Sequence, residues 1–132
     1  KEFENLCCFY PCAPLVTIDL LQEGFQRLSE GYDAVFPVVE YGMPIQRALK
    51  IVDKQLKMIS PENLNVRTQD LEKSYHDAGQ FYCMSTQQIL QKRKILTDNT
   101  SAIIVESNAV HDIDTLDDWK MVGLKYKLLK GL

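Results

Sequence analysis

The stretch HDIDTLDDW, residues 111–119, holds the densest set of acids in the chain. If it is extended, alternation of side chains puts Asp112 and Asp114 on one side, where two hard carboxylate ligands can share one Mg²⁺. The same acids also suit the N-terminus of a helix starting near Thr115, a role that needs no metal. An EF-hand loop is excluded, because Leu116 stands at the third ligand position and no glycine follows. A second polar cluster, RTQDLEKSYHDAGQFY, contains Arg67, Gln69, Asp70, Tyr75, His76, Asp77, Gln80 and Tyr82. Its position at a strand entrance suits a pocket rim, with the Arg67 guanidinium able to grip a carboxylate or phosphate through two bonds. Ordinary loop hydrogen bonding, with His76 and Asp77 as a local pair, accounts for the same residues. Gln46, Arg47 and Lys50 in PIQRALK offer a further anion site or, equally, the polar side of a solvated hairpin. GxSxG, Walker A and GxGxxG patterns are absent, so serine hydrolase, P-loop and dinucleotide-binding readings lack support.

The elements that must position these residues follow from periodicity. NLCCFY, residues 5–10, is an unbroken apolar run expected as a strand covered on both faces, stopped by Pro11 and Pro14. Thr17 is a candidate N-cap, Asp19 complements the first turn, and Ile18, Leu21, Phe25 and Leu28 recur at helical spacing until Gly31. Residues 33–40 form a second strand in which Pro37 argues for an edge or a bulge. IQRALKIV and QLKMI, flanking Asp53 and Lys54, read as a hairpin. Residues 60–77 read as loop with a short helix near 69–74, residues 78–84 as an aromatic strand, and STQQILQKRKIL as a helix capped by Ser85. KRK at 92–94 reads as its solvated end. AIIVE, residues 102–106, is a compact buried strand. The final helix has Thr115 and Asp118 as a capping box, an apolar stripe of Trp119, Val122, Tyr126 and Leu129, and Lys125, Lys127 and Lys130 toward its end. Strands alternating with helices predict an α/β layer fold with a mainly parallel sheet and a hairpin insertion.

The chain has 132 residues, 15 Lys and Arg against 18 Asp and Glu, and a formal charge of −3. Without a basic balance or a Lys/Arg stripe interleaved with aromatics, nucleic-acid binding has little electrostatic support. No apolar run reaches the ~18 residues of a membrane span, and KEFENLCCFYPC lacks the basic start and apolar core of a secretory signal. A soluble, cytoplasmic protein is expected. Cys7, Cys8, Cys12 and Cys83 are expected as reduced, packed thiols, and His76 and His111 supply no zinc-like spacing.

YPCAP, PIQRALK, RTQDLEKSYHDAGQFY and DIDTLDDW, in this order and spacing, resemble the acylneuraminate cytidylyltransferases, and within them most closely those acting on pseudaminic acid. The resemblance covers nearly the whole chain. It implies the C-terminal portion of a Rossmann-like, three-layer nucleotide-diphospho-sugar transferase fold, with a β-hairpin dimerisation insertion at about 41–77. The implied reaction is attack of the anomeric hydroxyl of a nonulosonic acid on the α-phosphate of CTP, giving CMP-sugar and pyrophosphate with Mg²⁺ as cofactor. By position, Asp112 and Asp114 match the metal-binding catalytic acids. Arg67 matches an arginine that meets the sugar acid across a homodimer interface, and Tyr82 an aromatic residue of the sugar pocket. Sialic acid enzymes have an Asn-Gly-Ala string where this chain has Asp77, Ala78, Gly79 and Gln80, and Gln-Pro-Thr-Ser-Pro where it has YPCAP. His76, Asp77, Gln80 and Tyr10 are therefore expected to read a differently substituted sugar, with Gln69 and Arg47 as further substrate contacts. No LIPARGGSKR-like nucleotide loop occurs in these residues, so the chain alone is expected to be inactive or nearly so. The alternative is a noncatalytic remnant or a binding or dimerisation module.

Overall fold

The structure, a computed structural model, describes residues 3–132. It divides into two compact units, one made of the residues up to Val39 together with Asp77–Leu132, the other of Glu40–His76.

The first unit is an α/β layer. Its strands are β1 (Asn5–Phe9), β2 (Ala34–Glu40), which ends in the neighbouring unit's first residue, β6 (Phe81–Ser85) and β7 (Thr100–Ile104). Three helices accompany them: α1 (Ile18–Ser29), α2 (Thr86–Lys92) and α3 (Leu116–Lys130). The sheet is mixed, which corrects the expectation of a mainly parallel one. β6 lies between β1 and β2 and runs antiparallel to both, with Cys7 opposite Cys83 and Ala34 opposite Met84. β7 runs parallel to β2, from Ala34 opposite Thr100 to Val38 opposite Ile104. Helix crossovers do separate β1 from β2 and β6 from β7, but no helix crossover separates β2 from β6. Its return strand can therefore run antiparallel, beside β2.

Alternation along β6 sorts the core. Phe81 and Cys83 face one way, packing with Leu28, Val35 and Ile103 beneath α1. Tyr82 and Met84 face the other, with Ala34, Leu6, Phe36 and Ile89. α1 begins at the expected cap, where Thr17 Oγ1 accepts the Leu20 N–H at 3.3 Å. It approaches the sheet through Gly24, where a Cβ would stand 3.0 Å from Cys83 Sγ and 3.1 Å from the Phe81 ring. Ile18 and Phe25, expected on the core face, are exposed.

Pro37 is buried inside β2, not at an edge or bulge. The β6 ladder ends at Val35, and beyond it Ala78 donates to the Pro37 carbonyl at 3.0 Å, so the proline sits past the point where that ladder needs an N–H. β1, expected to be covered on both faces, is mostly exposed, and with it Cys7, Cys8 and Cys12; only Cys83 is buried, and all four are free. Ser85 stands at the N-cap of α2 but makes no side-chain capping bond. Lys92, expected as a solvated helix end, instead reaches Asp33 Oδ2 at 2.6 Å. Thr97 Oγ1 donates to that same oxygen at 2.6 Å and Asn99 Nδ2 to Oδ1 at 3.3 Å, so the carboxylate, only 4% exposed, ties residues 92–99 to the start of β2. In α3 only Val122 of the expected stripe is buried; Trp119, Tyr126 and Leu129 are exposed. Trp119, Val122 and Tyr126 line an apolar cleft of about 280 Å³ with Pro14 and Leu15.

The second unit contains the expected hairpin, β3 (Leu49–Val52) and β4 (Gln55–Met58). Asp53 and Lys54 both have positive φ, 52° and 65°, as a tight two-residue turn requires. IQR is a short 3₁₀ turn, not strand. The supposed loop 60–77 holds 3₁₀ turns at Pro61–Asn63 and Thr68–Asp70 and ends in β5 (Tyr75–Asp77), whose last residue belongs to the first unit. Among the described residues no helix is long and apolar enough to cross a membrane.

Candidate functional site

Six of the residues singled out in the sequence fall in the first unit: Tyr10, Asp77, Gln80, Tyr82, Asp112 and Asp114. Tyr82 lies on β6 with its ring 5.4 Å from that of Tyr10 and 5.3 Å from that of Phe36. Its hydroxyl donates to Asp77 Oδ2 at 2.7 Å, while the Gly79 N–H donates to Oδ1 at 2.8 Å. The turn that allows this second bond places Gly79 at φ +63°, a conformation that favours glycine. Burial, reinforced by the Asp77 bond, pushes the Tyr82 hydroxyl far above the ordinary tyrosine range. Tyr82 therefore orients Asp77 by donating to it. The exposed Tyr10 ring, backed by the buried Tyr82, beside an oriented carboxylate can pack the C–H face of a sugar and accept from its hydroxyls.

Gln80 is 3% exposed. Its backbone carbonyl accepts from the Tyr10 N–H at 2.9 Å, joining the end of β1 to the head of β6. Its side-chain Nε2 donates to the Ala109 carbonyl at 2.9 Å, and Oε1 has no hydrogen-bond partner among the described residues. The amide is thus directed at the acidic loop, a partner that sequence reasoning did not foresee.

Between β7 and α3 the chain passes through a 3₁₀ turn, Ser107–Ala109, into His111–Thr115. Exposure alternates here, with His111 and Ile113 half-buried and Asp112 and Asp114 exposed, the pattern expected of an extended segment. Asp112 Oδ1 accepts the Ile113 N–H at 3.0 Å. The end of the loop is fixed by the capping box, in which Thr115 Oγ1 accepts the Asp118 N–H at 3.2 Å and Asp118 Oδ2 accepts the Thr115 N–H at 2.8 Å. Asp118 Oδ2 also accepts from the Asp114 N–H at 3.2 Å, and Oδ1 lies 3.1 Å from His111 Nε2. Hydrogen bonds from the Thr115 side chain and then its backbone, with smaller help from His111, lower the Asp118 carboxyl to about 2. Lys125, read from the sequence as a helix-end charge, donates Nζ to the carbonyls of Ser107 at 2.8 Å and Val110 at 2.6 Å. Its spacing of seven residues from Asp118, two helical turns along the same face, was the available signal.

Among the described residues no three His, Cys, Asp or Glu side chains converge as a ready cage for a metal ion. Asp112 and Asp114 are the exposed carboxylates of this loop, and Mg²⁺ in general needs only one or two protein carboxylates, completing its shell with water and substrate phosphate.

Arg47, Arg67, Gln69 and His76 fall in the second unit. The Arg47 guanidinium is engaged with backbone, donating Nη1 to Leu64 O at 3.2 Å and Nη2 to Val66 O. Gln46 Nε2 similarly donates to Glu72 O at 3.0 Å. These bonds brace the residues on either side of Arg67, which is exposed at the start of its 3₁₀ turn. Gln69 is exposed within that turn, and the His76 ring packs 5.0 Å from Tyr41.

No family model matches the chain. Comparison with curated proteins nonetheless finds it similar, over nearly its whole length, to proteins named pseudaminic acid cytidylyltransferase. Its relatives there are the pseudaminic acid cytidylyltransferases of Campylobacter jejuni, 32% identical for serotype O:2 and 31% for serotype O:23/36, each over 128 residues and 96% of this chain. A Helicobacter pylori protein named pseudaminic acid cytidylyltransferase and UDP-2,4-diacetamido-2,4,6-trideoxy-beta-L-altropyranose hydrolase is 30% identical over 115 residues, covering 86% of this chain and 22% of its own length. The chain spans about half the length of the two Campylobacter relatives, 55% in each.

Proposed function

We propose that this chain supplies the sugar-acid pocket and metal-binding acids of a cytoplasmic enzyme that couples a nonulosonic acid, pseudaminic acid in the first instance, to CTP. The observation that carries the reading is the 32% identity sustained over 96% of the chain. The mixed α/β sheet is compatible with the C-terminal part of a Rossmann-like sugar nucleotidyltransferase. The anomeric hydroxyl of the sugar acid attacks the α-phosphate of CTP, and pyrophosphate leaves. Mg²⁺ bound by Asp112 and Asp114 would neutralise phosphate charge and acidify the attacking hydroxyl. Tyr10 packs against the sugar with the buried Tyr82 ring behind it, and Asp77 accepts from the sugar's hydroxyls in the orientation Tyr82 imposes, while Arg67 is assigned to the carboxylate of a sugar acid held by the other protomer of a dimer. His76 and Gln69 are assigned with Arg67 to that other protomer's substrate, and Arg47 braces the backbone beside Arg67. Where sialic acid enzymes present an amide, the Asp77 carboxylate selects for a different pattern of donors.

The working form is a homodimer joined through residues 41–77. The hairpin register supports this: Leu49 faces Met58 and Ile51 faces Leu56, so one side of the β3–β4 ribbon is apolar, and Ile51 is 76% exposed. Replacing Ile51 and Leu56 together by Lys is expected to halve the sedimentation mass, and an unchanged mass would remove this surface from the interface. A second reading is a noncatalytic sugar-binding or dimerisation module. Pyrophosphate release from CTP, Mg²⁺ and pseudaminic acid separates the two. The 132 residues alone are expected to give little or none, while a longer protein containing them and a nucleotide loop is expected to turn over. Failure of that longer protein would support the module.

A further inference from the structure

The acidic loop is held by side chains that lie far from it in sequence. Its entry, Ser107 to Val110, presents three carbonyls that are taken from two sides: Gln80 at the head of β6 bonds Ala109 O at 2.9 Å, and Lys125 in α3 bonds Ser107 O and Val110 O at 2.8 and 2.6 Å. These are cross-braces between a strand, a loop and a helix. The Gln80 amide is 3% exposed, so water competes little for the bond. Lys125 is drawn far enough from solvent that burial lowers its pKa below the usual lysine value. The exit of the loop is already closed by the Thr115–Asp118 box.

We infer that Gln80 and Lys125 are positioning residues for Asp112 and Asp114, fixing the backbone just ahead of the two carboxylates so that both are presented to one cation. The inference rests on the proposed reading of those acids as Mg²⁺ ligands, and it gives Gln80 a task other than reading the sugar. Partners that orient metal ligands without touching the metal commonly change affinity by about 10–100-fold.

The test uses the 132-residue chain with Mn²⁺ as the probe. Gln80→Met and Lys125→Met keep side-chain length and remove the donors, while Lys125→Arg keeps a donor. Thr17→Ala, at the α1 cap, serves as a control for general destabilisation. Three quantities are read: the Mn²⁺ dissociation constant from the resonance of free Mn²⁺, amide exchange of residues 107–114 without metal, and the thermal midpoint. Each Met variant is expected to weaken Mn²⁺ binding about tenfold and to speed exchange across 107–114. Lys125→Arg should stay near the parent, and Thr17→Ala should lower the midpoint while leaving loop exchange and Mn²⁺ affinity unchanged. Loop exchange equal to the parent in both Met variants overturns the inference, as does an equal Mn²⁺ loss in Thr17→Ala. If the parent chain fails to bind Mn²⁺, the metal reading falls, and loop exchange in the Met variants still decides whether these two side chains position the loop.

Discussion

Asp77 is exposed and Asp118 half-buried, and each carboxylate is turned by a hydroxyl neighbour. For Asp77 the neighbour is Tyr82, which donates to one oxygen while the Gly79 N–H holds the other. Tyr82→Phe keeps the aromatic packing and removes that bond from a largely buried position. It should cost about 1–2 kcal/mol in denaturant unfolding and weaken sugar-acid binding without changing Mn²⁺ binding. Asp118 makes a pH prediction. Its carboxyl sits at about 2 in the folded chain against an ordinary value of 3.8. A depressed carboxyl contributes stability that is fully present above its unfolded value and lost as pH falls through its folded value. Amide exchange at the start of α3 should therefore rise as pH is lowered from 4 to 2, after correction for the intrinsic rate. In Asp118→Asn the same correction should leave a flat profile across that window.

The elements differ in how far their own residues determine them. Thr17, the Asp53–Lys54 turn and the Thr115–Asp118 box were legible because capping and tight turns are local chemistry, settled within four residues. The sheet's mixed direction was not legible, because it depends on how residues 40–76 return the chain to the sheet. Pro37 misled for a related reason: a proline forbids one hydrogen bond, and only the register of β6 tells whether that bond is wanted. The site shares this division. Its acids, aromatic residues and Arg67 were visible as residue types, but the Gln80–Ala109 and Lys125–Ser107 bonds join positions 29 and 18 residues apart. Two substitutions test the element-level account. Gly24→Ala forces a methyl against Cys83 and Phe81; the overpacking cost of about 1–3 kcal/mol exceeds or cancels the helix gain of about 1 kcal/mol, so the unfolding midpoint should not rise. Lys54→Gly relieves a positive-φ side chain in the hairpin turn and should stabilise the second unit by about 1 kcal/mol, read as slower exchange of the β3–β4 amides.

At the scale of the molecule, each unit carries part of what the proposed reaction requires. The first combines an aromatic and carboxylate cluster with a braced acidic loop, and the second offers Arg67 and an apolar ribbon. Substrate recognition by the first unit is the claim on which the rest depends. It is tested most directly by titrating the isotope-labelled chain with pseudaminic acid and, in parallel, with N-acetylneuraminic acid while following backbone amide resonances. Pseudaminic acid is expected to shift the amides of Tyr10, Asp77, Gly79 and Tyr82 and to bind more tightly than the sialic acid. Absence of shifts at these four residues, or equal or tighter binding of N-acetylneuraminic acid, would contradict it.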